Sequence, residues 1–318
     1  MNFVGHDEPW RIWRAALSSN RMHHGWIMAG KSGVGKAAFA QAAARELVWE
    51  AGVPQPAGEH PDITLLTHLP ASQEDERKRE EGKPYQVKRS IGIAQIREMQ
   101  RRLTTRPTLG SRRAIIIDPV DDLEKPAANA LLKSLEEPPA GTFFLLVSHR
   151  PGRLLPTIRS RCRILRFPSL ATVQIDAILR EQAPQADPDT RAAAIAASSG
   201  APGAALDFVE QDLAGLHRIM QLIAAEGDAQ FLLRGNLSEQ IGSRPDRERL
   251  LAMLDLARAV VASQLSTAER GRLARIIDAH EELSRLSGQA PIYNFDPALL
   301  AMEIGTLLAS TAPDREAA

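Results

Sequence analysis

The chain has 318 residues, 44% of them apolar and 25% charged, which excludes wholesale disorder and supplies side chains for more than one packed core. Lysine plus arginine equals aspartate plus glutamate at 39 each, so no overall field draws the molecule to nucleic acid or anionic lipid, and such contacts must be local or come through partners. The single cysteine, Cys162, excludes an internal disulfide; with acids at the N-terminus and no run of about 18 apolar residues, a cytoplasmic protein without leader or membrane span is expected.

Low aromatic content and abundant Ala and Leu favour helices. In chain order, an apolar run at 26–29 (WIMA) leads into a glycine-rich loop and then an Ala-rich segment to residue 50. Phe39, Ala43, Leu47 and Val48 recur there at helical spacing, so the order is strand, loop, helix. Turn-forming residues 51–62 precede a short strand at 63–66. The charged stretch 71–90 lacks apolar period and is expected to be a mobile loop. Residues 91–103 place Ile93, Ile96, Met99, Gln100 and Leu103 on one face of an amphipathic helix.

A buried-type strand at 114–117 ends at Asp118. A helix opened by Pro126 carries Leu131, Leu132 and Leu135 and stops at Pro138 and Pro139, and TFFLLV at 142–147 is another buried strand. A further short strand is expected within 158–167. Strands alternating with helices imply an α/β domain with a parallel sheet covered on both faces. Beyond Pro168 strand signals cease. Short helices are expected at 172–182, 190–198 and 201–211, and longer ones around 213–225, 228–241, 245–265, 267–287 and 297–309, with 311–318 fraying. The expected division is 1–168, 169–209 and 210–318.

The loop Gly30, Lys31, Ser32, Gly33, Val34, Gly35, Lys36 matches G-x-x-x-x-G-K, in which backbone amides turn toward phosphate oxygens and the lysine neutralises them at a helix N-terminus. The next residue, Ala37, lacks the hydroxyl that places magnesium in a working loop, and Ala38 does not replace it. Asp118 supplies the strand-end acid, but Pro119 stands where a hydrolytic enzyme keeps a glutamate to orient water. Asp121 and Asp122 read as turn or helix-cap residues. Nucleotide hydrolysis is therefore not expected.

Ser148 closes the 142–147 strand, either as a polar contact to phosphate or as a hydroxyl capping a turn. In the cluster Arg159, Ser160, Arg161, Cys162, Arg163, a planar guanidinium suits phosphate contact supplied to a neighbouring subunit, although arginine clusters also form ordinary solvated faces.

GWIMAGKSGVGKAAFA, HPD at 60–62, QIREMQRRL, and above all the run from Ala127 to Cys162 with its LLKSLEEPP, FFLL and SRC segments, together resemble the delta-prime family of bacterial DNA polymerase III clamp-loader subunits. The resemblance implies an AAA+ nucleotide-binding-type domain, a small helical lid and a helical collar that joins a five-subunit ring. Such rings open a sliding clamp and place it on primer-template DNA. It further implies gamma/tau motor subunits and a delta subunit as partners, DNA and clamp contact through the assembly, and Arg161 as an arginine finger reaching ATP on a neighbour. The resemblance also implies a stator without ATPase activity of its own.

The chain departs from the pattern at three points. Residues 50–90 contain no cysteine, so no zinc module is expected; His60 and His68 are the histidines there. Ala204 stands where active relatives keep a lid arginine. Lys36 is retained, which leaves room for weak ATP or ADP binding although no cofactor is required. Two other readings compete: a self-contained ATP-driven motor, opposed by Ala37, Pro119 and Ala204, and a DNA-binding module using Arg97, Arg101, Arg102 and Arg106, opposed by the absence of a supporting field.

Overall fold

A computed structural model describes residues 5–19, 22–242, 245, 247–290, 293 and 295–313. Apolar runs too short for helices pair into one parallel sheet: β1 (Gly25–Ala29), β2 (Ile63–Leu66), β3 (Arg113–Ile117), β4 (Thr142–Ser148) and β5 (Arg163–Arg166), in the order β2-β3-β4-β1-β5. β1 and β3 are buried throughout, as strands covered on both faces must be. Before and between the strands run α1 (Asp7–Ser18), α2 (Lys36–Val48), α3 (Gln73–Glu80), α4 (Ile93–Leu103), α5 (Lys125–Glu136) and the single turn α6 (Pro156–Arg159).

Periodicity located α4, which buries Ile96, Met99 and Leu103, and α5, which buries Leu131 and Leu135 beside Ala127 and Ala128. Gln100 of α4 binds α5 through the Ala130 carbonyl at 2.9 Å and the Ser134 hydroxyl at 3.0 Å. α1 carries Trp10, Trp13 and Ala16 into the core, where Trp13 packs edge-on against Trp26 at a centroid distance of 5.4 Å.

The charged stretch 71–90 is not wholly a loop. α3 forms within it although it buries nothing. The Ser72 hydroxyl oxygen accepts the Asp75 amide at 3.1 Å, acids occupy the first turn and bases the last, and Lys78–Glu74 pairs across one turn at 2.7 Å. Capping, the helix dipole and spaced ion pairs thus replace the apolar stripe. The flanks are held as well: the Ala71 amide donates to the Gln86 carbonyl at 2.8 Å.

The chain divides into two compact units, Met1–Ser169 and Leu170–Ala318. The second comprises α7 (Thr172–Gln182), α8 (Pro188–Ala197), α9 (Pro202–Glu210), α10 (Ala214–Glu226), α11 (Leu232–Ile241), α12 (Arg247–Ser263), α13 (Arg270–Gln289) and α14 (Pro297–Ser310). Residues of the expected lid, such as Leu179, Ala194 and Phe208, join those of the expected collar, such as Met220, Leu254 and Ile304, in one apolar cluster. The expected fraying at 311–318 does not reach Thr311 and Ala312, which are buried; Arg272 donates to the Thr311 carbonyl from Nε at 3.1 Å. Residues 314–318 of that expectation lie outside the described residues. No helix among the described residues is long and apolar enough to cross a membrane.

Candidate functional site

The C-terminal edge of the sheet gathers the residues of the phosphate-loop motif. The loop leaves β1 at Gly30, whose amide donates to the Ser148 carbonyl at 3.3 Å, while the Phe167 amide after β5 donates to Ala29 at 2.8 Å. β3 arrives alongside, and the Asp118 amide donates to Leu66 at 2.9 Å. Gly30 is required by this convergence, since a Cβ there would lie 2.5 Å from the Phe167 carbonyl oxygen. Gly35 is required by conformation, with φ of +93° immediately before α2.

Lys36 opens α2 with only 2% of its surface exposed. Its ammonium donates to the Gly30 carbonyl at 2.8 Å and also to the Lys31 carbonyl. Burial lowers its pKa to about 8, against the opposing pull of Asp118 and Asp121. Asp118 is itself pushed above the usual aspartate value by burial, with Lys36 and His68 acting the other way. Lys31, Ser32 and Gly33 are exposed at the loop tip, Val34 is buried, and Ala37 is half-buried in the first turn of α2.

Ser148 is fully buried, and its hydroxyl donates to Asp121 at 2.8 Å. Asp121 also accepts the amides of His149 at 2.5 Å and Arg150 at 3.3 Å. Its role therefore exceeds that of a local turn residue, because it ties the segment after β3 to the end of β4. Asp122 faces His68, with Oδ2 to Nε2 at 3.2 Å.

The sequence reading missed His6. It is buried against the loop, and Nε2 donates to the Val34 carbonyl at 2.6 Å, since a carbonyl oxygen only accepts. Burial lowers its pKa, and its ring meets Phe167 edge-on at 5.0 Å. No sequence pattern links positions 28 residues apart in this way. His149 is likewise held below the usual histidine value, first by burial and then by Lys36.

The loop edge offers one buried cation at a helix N-terminus, Lys36, and lacks side-chain oxygens at positions 37 and 119. Lys36 and the α2 N-terminus supply positive potential. Ala37 offers no hydroxyl for magnesium, and Pro119 offers no carboxylate to orient water. Ala204 lies in the first turn of α9 and carries no charge. His60 accepts the Asp62 amide on Nδ1 at 3.1 Å, and Asp62 in turn receives the amides of Thr108 at 2.5 Å and Leu109 at 2.8 Å, so HPD shapes the backbone.

Arg161 lies at the other edge of the sheet. β5 begins at Arg163 beside Trp26, and a Cβ on Gly25 would stand 3.1 Å from the Arg161 carbonyl and 2.8 Å from Cys162 Sγ. Burial pushes the Cys162 thiol up to about 12, which disfavours the thiolate. The Arg161 guanidinium bonds the Thr157 carbonyl at 3.0 Å, the Ser160 hydroxyl at 3.4 Å and Glu136 at 2.8 Å. Arg97, Arg101 and Arg102 are exposed on α4, where Glu98 pairs with Arg101 and Arg102.

A parallel sheet in the order β5-β1-β4-β3-β2, with a phosphate loop joining β1 to α2 and an acid at the end of β3, defines an AAA+ nucleotide-binding-type domain. The family model described as DNA polymerase III, delta subunit matches residues 5–171. The DNA polymerase III subunit delta' of Escherichia coli K12 is 30% identical over 292 residues, covering 86% of this chain and 81% of that protein. The subunit delta' of Pseudomonas aeruginosa is 32% identical over 169 residues, covering 48% of this chain and 46% of that protein, so the match spans less than half of its length. The E. coli subunit tau is 27% identical over 346 residues, covering 98% of this chain and 51% of tau. The chain belongs to the delta-prime family of DNA polymerase III clamp-loader subunits.

Proposed function

We propose that this protein is a non-hydrolysing stator of a clamp loader, donating Arg161 as an arginine finger to ATP held by a neighbouring motor subunit. One observation carries the proposal: Arg161 and the chain's own phosphate loop sit at opposite edges of one sheet. β1 separates them, and its five residues span about 13 Å at roughly 3.3 Å per step. Arg161 is thus out of reach of its own loop, and in this reading the phosphate it contacts is held by another subunit.

Ala37 and Pro119 support the absence of hydrolysis, because neither can serve magnesium or water. The partners in this reading are gamma/tau motor subunits and a delta subunit, with sliding clamp and primer-template DNA engaged through the assembly in the cytoplasm. The functional division is 1–168, a lid at 169–209 and a collar at 210–318. No cofactor is required in this reading; ADP or phosphate binds weakly through Lys36, and zinc analysis of the purified chain is expected to return no stoichiometric metal. The isolated chain is expected to show no magnesium-dependent ATP turnover. A turnover of about 1 per second, in the range of ordinary enzymes, overturns the non-hydrolysing reading.

A further inference from the structure

α5 ends abruptly because Pro138 and Pro139 follow it, and its last residue is Glu136. That carboxylate accepts from Nη2 of Arg161 at 2.8 Å, across 25 positions of sequence. From α6, the Thr157 carbonyl takes Nη1 at 3.0 Å, and Ser160 lies 3.4 Å from the same nitrogen. The carboxylate and the carbonyl therefore grip the guanidinium from two separate elements. A guanidinium has five N–H donors in one plane, and three recorded contacts leave two for another acceptor. α5 is itself fixed: Leu131 and Leu135 are buried, and Gln100 clamps Ala130 and Ser134.

We propose that Glu136 is a positioning residue for Arg161: it orders the guanidinium before a neighbouring phosphate arrives. This rests on the reading of Arg161 as a finger in trans. Arginine is long and rotamer-rich, so a free finger must be immobilised at each catalytic encounter, and Glu136 removes much of that cost in advance. The side chains remain 34% exposed for Arg161 and 49% exposed for Glu136, which leaves the finger accessible and makes the pair a weak contributor to folding. Stability and activity therefore respond differently to its removal.

The test uses clamp loader reconstituted from this chain with gamma/tau and delta subunits, assayed for ATP turnover with clamp and primed DNA. Glu136→Ala is expected to lower kcat by about two- to tenfold, the range for ordering one flexible side chain, with KM for ATP unchanged and the thermal midpoint of the isolated chain nearly unmoved. Glu136→Gln keeps the accepting oxygen and should restore most of the rate. Adding Glu136→Ala to Arg161→Ala should cause no further loss. A wild-type rate for Glu136→Ala beside a depressed Arg161→Ala overturns the positioning role and leaves the finger standing. Faster turnover in both Glu136 variants also overturns it, since the carboxylate would then be restraining the finger by charge. A wild-type rate for Arg161→Ala removes the finger reading itself. Equal, additive losses in the double variant assign Glu136 to structure alone.

Discussion

The two edges of the α/β sheet treat their polar groups in opposite ways. At the loop edge the groups that face nucleotide in working phosphate-loop enzymes are satisfied from within: Lys36 by loop carbonyls, Ser148 by Asp121, and Val34 by His6. At the other edge Arg161 is only half-buried and is steadied by three contacts. The same fold therefore satisfies its polar groups internally at one edge and leaves a cation half-exposed at the other.

That contrast predicts unequal costs of mutation. Gly30→Ala should destabilise the chain by about 1–3 kcal/mol, as overpacked cores do, because its Cβ would strike the Phe167 carbonyl oxygen. Asp121→Ala should cost about 1–3 kcal/mol by orphaning the Ser148 hydroxyl and the amides of His149 and Arg150. Arg161→Ala should fall within about 1 kcal/mol, the range for half-exposed ion pairs. Denaturant titrations of the three variants check the order. If Arg161→Ala is the most destabilising, the arginine is a structural residue and the contrast collapses.

A smaller effect concerns pH. With its pKa lowered to about 8, Lys36 loses charge above that pH, and an anion binds the charged form. ADP affinity measured calorimetrically should fall from pH 7 to pH 9, by up to about tenfold per unit above the pKa. Folding runs the other way. Between about 8 and the ordinary value of 10.5 the unfolded chain holds the extra proton, so the Lys36 contribution to stability rises with pH across that window. ADP affinity that stays level over this range would place the phosphate contact elsewhere than on Lys36.

How much was legible in the sequence followed from where each signal resides. α4 announced itself because Ile96, Met99 and Leu103 recur at helical spacing, and the loop did so because its glycines and Lys36 lie within seven residues. α3 escaped because its order comes from a serine cap and charge pairs, which resemble a disordered charged run when apolar period is the only guide. α1 escaped although Trp10, Trp13 and Ala16 share one helical face. The contacts that define the site, His6 with Val34, Asp121 with Ser148 and Glu136 with Arg161, join residues 25 to 28 positions apart. Such pairings depend on strand order, which local patterns do not encode. Asp121 accordingly reads as a turn or helix-cap residue in the sequence, whereas in the fold it ties the segment after β3 to the end of β4.

Reconstituted clamp loader carrying Arg161→Ala tests the central claim most directly. The variant should fold and assemble as wild type, while ATP turnover stimulated by clamp and primed DNA falls, along with clamp loading. The fall should be smaller than the roughly 10³- to 10⁵-fold contribution of arginine fingers elsewhere, because a ring with several sites shares its turnover. Arg161→Lys should rescue poorly, as an ammonium lacks the planar two-pronged donor geometry. An Arg161→Ala complex that assembles normally and loads clamps at the wild-type rate would contradict the account and leave Arg161 a solvated surface residue.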